Sequence, residues 1–262
     1  MRQGDPAELW LTARIEPQCA QGESVDRAEL ERIADRSWPA AGRGRLGEWI
    51  VNTDRGYSGR LNACWPLGDP GLPMAEAVDA VEARYATAGL PSLFKPVDGL
   101  SPELEAELAR RSYAPRTETL MMVGPLLGEG GRAEVTADPD HRFEAVFNGA
   151  QGNPEDATER MGAFRRIPSP RGFGVIEIDG EPVAIGGTAI EGDWAGVFGM
   201  RTLEAHRRKG LARDILCALF ATARAAGANR GYLQVEADNA PAVTLYEGFG
   251  FREAYRYRYW GR

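Results

Sequence analysis

The chain is poor in the residues that build metal centres and covalent frameworks. It carries two histidines, His141 and His206, and three cysteines, Cys19, Cys64 and Cys217, among 262 residues. Neither set is clustered at ligand or bridge spacing, so no metal site and no disulfide scaffold are expected. No apolar run reaches the ~20 residues that span a bilayer, and the start lacks a signal-peptide pattern; a cytoplasmic protein with no membrane partner is expected. An excess of positive charge is also missing, with 31 Lys and Arg against 38 Asp and Glu, a net charge of −7. That argues against a nucleic-acid partner and weakly favours a cationic or amine one. What is abundant is apolar: 43% hydrophobic residues and six tryptophans suffice for a packed core.

One run stands out. Arg207-Arg208-Lys209-Gly210-Leu211-Ala212 lies between a strand-like stretch, 195–202, and an amphipathic helical stretch, 211–226. A turn entering a helix leaves backbone N–H groups unpaired beside the positive end of the helix dipole, which suits an anion such as a pyrophosphate. Gly210 permits close approach to the main chain. The turn lacks Gly-Lys followed by Ser or Thr, which excludes a phosphate-loop nucleotidase. Further on, 232–239 alternates like a strand. Asn239 suits a helix N-cap with Pro241 in the first turn, and Tyr246 lies seven residues on, on nearly the same helix face. Gly248 and Gly250 end that helix, and a strand over 251–260 follows. In it, Tyr255, Tyr257 and Tyr259 alternate with Arg256 and Arg258, which reads as one packed and one solvated face.

These two blocks resemble the GCN5-related N-acetyltransferase superfamily. Arg207, Gly210 and Ala212 match its Arg/Gln-x-x-Gly-x-Gly/Ala signature, and Asn239, Ala242 and Tyr246, followed by Gly250-Phe251, match its second pattern. The resemblance covers about 130–262. It implies an α/β (α+β) fold with a mixed central sheet flanked by helices, and acetyl-CoA as cosubstrate. The main chain over Arg208 to Ala212, including Lys209 and Leu211, would hold the diphosphate. Two parallel strands ending near Thr202 and Ala237 would splay around the pantetheine arm, with donors around Met200 to Thr202 facing the thioester. Asn239 would contact the cofactor or serve only as the cap.

For acyl transfer, Tyr246 is the candidate acid, because a phenol (pKa about 10) stays protonated where a thiol (about 8.5) leaves. The base is not inherited: Gln234 and Gly196 occupy positions where relatives in the superfamily carry carboxylates. Glu236 leads instead, because it shares a strand face with Gln234; Asp193 and Glu177 follow, and a water chain is the remaining route. His206 reads as a loop residue and Cys217 as core. The resemblance thus implies an N-acetyltransferase acting on a primary amine, preferentially of a small molecule, as a monomer or homodimer. A non-catalytic acyl-CoA sensor and a protein N-terminal or lysine acetyltransferase are the alternatives.

The first half shares the second's order: hairpin, helix, strand, helix, strand. Helices are expected over 26–37, 74–88 and 101–112, and a hairpin of 47–53 with 58–65. Short strands are expected over 91–96 and 116–123, then a Gly/Pro-rich linker over 124–131. In the second half, helices over 141–149 and 154–166 precede a hairpin of 174–179 with 183–191. The first half carries Pro66-Leu67-Gly68-Asp69-Pro70-Gly71 where the second carries its basic turn, and prolines remove donors. The expectation is a degenerate acetyltransferase-like domain over 1–125 and a catalytic domain over 126–262, two tandem copies of one layered fold.

Overall fold

The computed structural model describes residues 25–149 and 153–262; the irregular or strand-like arm expected over the first twenty residues lies outside them. The first described helix, α1 (Arg27–Ser37), starts where Asp26 accepts from the Glu29 N–H at 3.0 Å. β1 (Gly42–Leu46) and β2 (Trp49–Thr53) form a hairpin through Gly47, and β3 (Cys64–Trp65) pairs with the far side of β2. The expected hairpin of 47–53 with 58–65 is therefore corrected. Only Cys64 and Trp65 of its second arm join the sheet, because side chains draw residues 54–62 out of it (below).

α2 (Met74–Thr87), β4 (Leu93–Phe94), α3 (Pro102–Arg110) and β5 (Ala114–Pro125) follow. The Ser101 hydroxyl does not cap α3; it reaches the Pro66 carbonyl at 3.4 Å. The expected linker is corrected as well. Gly124 and Pro125 belong to β5, Leu126 is buried, and Arg224 clamps the Leu126 and Gly128 carbonyls at 2.5 and 2.8 Å. Gly/Pro composition reports the absence of regular structure, not of contacts.

The second half comprises β6 (Glu134–Thr136), α4 (His141–Gly149), α5 (Pro154–Arg166), β7 (Arg171–Ile178), β8 (Glu181–Glu191) and β9 (Trp194–Thr202). α6 (Leu211–Ala225), β10 (Arg230–Glu236), α7 (Ala240–Glu247) and β11 (Arg252–Gly261) complete it. β6 was not anticipated; three residues are too few for periodicity to show.

All strands join one eleven-stranded sheet, ordered β1-β2-β3-β4-β11-β5-β10-β9-β8-β7-β6. β5 of the first half lies between β10 and β11 of the second, antiparallel to both. β11 in turn pairs with β4. Each half has one parallel pair, β3 with β4 and β9 with β10.

One face of the sheet carries a single core spanning both halves, with Trp38, Trp65, Phe164, Phe173, Tyr232 and Tyr257 among its members, beneath α1, α4 and α5. The other face is covered by α2 and α3 at one end and by α6 and α7 at the other. At the join, the buried Lys95 ammonium pairs with Glu31 of α1 and lies 3.7 and 3.9 Å from the Trp65 and Tyr257 ring centroids. Glu31 also accepts from the Tyr255 hydroxyl at 2.9 Å. Burial pulls the Lys95 pKa down and Glu31 opposes it; such a charge is tolerable only with its partners in place. Tyr255 and Tyr257 are the packed face of β11, while Arg256 and Arg258 pair outward with Glu118, as the alternation implied.

The shared strands generate a test. A fragment of residues 126–262 leaves β10 and β11 without the strand that joins them. It is expected to show no cooperative thermal transition by circular dichroism, and co-expression with residues 1–125 to restore one.

Candidate active site

The site begins where two parallel strands part. β9 and β10 pair from Trp194↔Arg230 to Val197↔Leu233 and no further. Beyond that point β10 stays with β5 as far as Glu236↔Thr119, while β9 stays with β8 as far as Thr202↔Ala184. A register shift between Ile185 and Gly187 sets two β9 residues, Gly199 and Met200, opposite Gly186 alone. Gly199 has φ +60°, and a Cβ there would lie 2.2 Å from Phe164; glycine is what lets β9 bulge away. The edge of β9 from Phe198 to Thr202 therefore faces a gap rather than a strand.

The bulge also sorts side chains. Met200 packs beneath α6 with Ile176, Leu211 and Ile215, whereas Arg201 projects to the opposite face, its guanidinium 5.6 Å from the Phe147 centroid. Gln234 follows directly on the last β9–β10 pair, Val197↔Leu233. Its Oε1 accepts from the Tyr257 hydroxyl at 2.7 Å, and its Nε2 is buried with no protein partner. No side chain fits at Gly196, because a Cβ there would fall 2.5 Å from the Tyr232 hydroxyl. Glu236 is exposed at the end of β10. Asp193 lies at the other end of β9, 3.5 Å from Arg230, and Glu177 on β7 pairs with Arg142; neither borders the gap.

The basic turn closes one end of the gap. Arg207, Arg208, Lys209 and Gly210 are exposed, and Arg207 Nε reaches the Thr202 carbonyl at 3.4 Å. Arg208 and Gly210 have φ of +63° and +79°, a backbone that curls successive N–H groups into an anion-binding concavity. Gly210 is the N-cap of α6, no side chain caps the helix, and nothing lies within 4 Å of where its Cβ would be. The N-terminal N–H groups at Leu211 and Ala212 thus have no side-chain cap. His206, expected as a solvated loop residue, is half-buried with Nδ1 enclosed and unpartnered.

Asn239 caps α7, accepting from the Ala242 N–H at 3.3 Å. Tyr246, near the end of α7, is 7% exposed, and its hydroxyl makes no hydrogen bond among the described residues. Burial pushes its pKa up to about 12, with the Arg201 guanidinium pulling in the other direction. The structure thus brings the turn, Met200, Thr202, Asn239 and Tyr246 to the two strand ends that part. Cys217 is core, as expected.

Two contributors were missed in the sequence. Arg201 was passed over because its neighbours Met200 and Thr202 carried the pattern. Glu159 on α5 is buried and accepts from the N–H groups of Arg55, Tyr57 and Ser58 at 2.9, 3.0 and 2.7 Å, and from Asn62 Nδ2 at 3.0 Å. It binds residues 54–62 of the first half to the second, and with them Arg60, whose guanidinium lies 5.4 Å from the Trp38 ring. The available signal was faint: the apolar stripe of α5 runs through Ala157, Met161 and Phe164, and Glu159 lies off it, beside Ala163 one turn on.

A mixed sheet opened at one parallel pair, with an uncapped helix N-terminus at the opening, defines a GCN5-related N-acetyltransferase. A family model described as "Probable histone acetyltransferase Rv0428c C-terminal" matches residues 25–260, and the chain belongs to that family. It is 26% identical over 244 residues to an uncharacterized N-acetyltransferase, YobR, of Bacillus subtilis strain 168, covering 89% of this chain and 98% of the relative. Among solved structures it shares the fold of a GCN5-related N-acetyltransferase from Kribbella flavida, with a TM-score of 0.65 and 17% identity over 92% of this chain and 96% of that one. It also shares the fold of a tandem protein of the same superfamily from the clavulanic acid biosynthesis pathway, with a TM-score of 0.57 and 10% identity over 89% and 87%. No helix among the described residues is long and apolar enough to cross a membrane.

Removing the Glu159 carboxylate orphans three backbone donors. Glu159→Ala is expected to destabilise the fold by about 2–4 kcal/mol. Hydrogen exchange at the Arg55, Tyr57 and Ser58 amides should rise in that variant while amides of β9 and β10 stay protected.

Proposed function

We propose that this enzyme moves an acetyl group from acetyl-CoA to a primary amine of a small molecule, with the chemistry in the gap between β9 and β10. The observation that carries this is the parting of the strands at Val197 and Leu233 directly beside the exposed, uncapped α6 N-terminus. Arg207 to Ala212 hold the diphosphate through main-chain N–H groups, with the basic side chains adding charge. The freed β9 edge around Met200 to Thr202 faces the thioester, where N–H donors stabilise the oxyanion that forms when the amine attacks. Asn239 fixes α7 and, through it, Tyr246.

Tyr246 donates a hydrogen bond to the departing sulfur; an unpaired hydroxyl beside the gap favours that role over a packing one. Complete proton transfer is another matter. A phenol raised to about 12 by burial is a weaker acid than a thiol at about 8.5, so a full transfer from tyrosine to thiolate is uphill. The proton that finally rests on sulfur therefore comes from the nitrogen, whose acidity rises steeply as it acylates, relayed through the phenol. The incoming ammonium loses its first proton to Glu236 or to water, because Gln234 cannot accept one and Gly196 has no room for a carboxylate.

In this reading the division near residue 125 is one of role. Residues 126–262 bind and react, and the first half, a degenerate copy lacking the basic turn, covers the acceptor side. The strand order, in which β4, β3, β2 and β1 on one side of the β11–β5 pair answer β10, β9, β8 and β7 on the other and only β6 has no counterpart, supports the two-copy view. The long covering segment favours a small acceptor over an open peptide groove.

Tyr246→Phe is expected to lower kcat about a hundredfold while leaving CoA affinity unchanged by calorimetry. The neutral phenol is the active form and persists below its pKa, so wild-type kcat should show no fall due to Tyr246 below about pH 11. An Arg207→Glu, Gly210→Trp double variant should abolish CoA binding; stoichiometric binding that survives it would place the diphosphate elsewhere and overturn the reading.

A further inference from the structure

On the face of the sheet opposite α6, aromatic rings form a platform beside the gap. Trp38 lies flat on Phe198 at 5.2 Å and meets Phe164 edge-on at 4.7 Å; Phe164 meets Phe147 at 5.2 Å. Two guanidiniums rest on this platform, Arg60 over Trp38 and Arg201 over Phe147. The cations around them are paired: Arg36 with Glu191, Arg43 with Asp35, Arg166 with Asp54 and Arg160 with Asp156. Among the described residues neither Arg60 nor Arg201 has a carboxylate partner. Among those residues the one hydrogen bond of the Arg201 side chain reaches the adjoining Met200 carbonyl at 3.1 Å.

Both are half-buried, and a cation withdrawn from water without a counter-charge is unfavourable. The Arg201 pKa registers this: burial lowers it most, Arg160 and Arg60 lower it further, and Asp156, engaged with Arg160, offsets part. Arg201 also lies within the field of the Tyr246 hydroxyl, so this unpaired charge borders the reacting end of the gap. It does not belong to the diphosphate seat, because Met200 takes the α6 side and Arg201 the other. A guanidinium offers paired donors matched to a carboxylate or phosphate.

We propose that the acceptor amine carries an anionic oxy-group, a carboxylate or a phosphate, which docks between Arg201 and Arg60 while its amino group reaches the gap. The inference rests on the acetyl-transfer reading and narrows its substrate class. Net charge of −7 sets the long-range field of the molecule; these two guanidiniums set the opposite sign locally.

The test is calorimetry on the full chain saturated with CoA. The probes are β-alanine, 4-aminobutyrate, L-phenylalanine and phosphoethanolamine, each beside the amine lacking its anionic group: ethylamine, propylamine, phenethylamine and ethanolamine. At least one anion-bearing probe is expected to bind about tenfold or more tighter than its counterpart. Arg201→Met and Arg60→Met, folded by thermal melt, should each erase that preference with CoA affinity unchanged; Arg201→Lys should retain part of it. Which probe type responds tells carboxylate from phosphate. Equal or tighter binding of the neutral-bodied amines, indifference to both methionine variants, or no binding by any probe would overturn the proposal. Failure of the wild type to bind CoA would instead sink the acetyl-transfer reading, and the same panel titrated without CoA still decides whether an anion is recognised.

Discussion

β9 cannot follow β8 and also remain beside β10. β8 holds it through Thr202, β5 holds β10 through Glu236, and the two parallel strands separate after four paired positions. The bulge at Gly199 and Met200 absorbs the divergence. Backbone groups that would pair in a continuous sheet are thereby left for a ligand, and every proposed role depends on this. The α6 N-terminus sits at the opening because β9 leads into it, and Tyr246 arrives because β10 leads into α7.

The first half helps to build the gap. Its β5 is the strand that holds β10 away from β9, so the gap is maintained by residues distant in sequence from its lining. Glu159 then fastens the halves directly, and the buried Lys95–Glu31 pair of the first half does so through Tyr255 and Tyr257 of the second. Each is acceptable only because its partners are fixed, Glu159 by backbone donors and Lys95 by a carboxylate and two rings.

Charge is distributed to match. Carboxylates dominate the chain as a whole, yet among the described residues the two guanidiniums on the aromatic platform have no carboxylate partner. The exposed basic turn and these half-buried arginines lie on opposite sides of the sheet. In the proposed reading one side takes the diphosphate of the cosubstrate and the other an anion on the acceptor, with Tyr246 in the field of Arg201.

Local pattern was legible without coordinates. The turn at Arg207 to Ala212, the Asn239 cap and the seven-residue offset to Tyr246 follow from helix geometry and from motifs confined to a few consecutive residues. Most helices were legible too, because their apolar periodicity is a property of neighbours in sequence. Strand partners were not. That β5 separates β10 from β11, that 124–131 packs on α6, and that 54–62 leaves the sheet for Glu159 all depend on groups far apart along the chain. The two missed side chains share that cause: Arg201 and Glu159 matter through what they face across the fold, and a one-dimensional pattern records residue types and spacings but not which buried charge finds a partner.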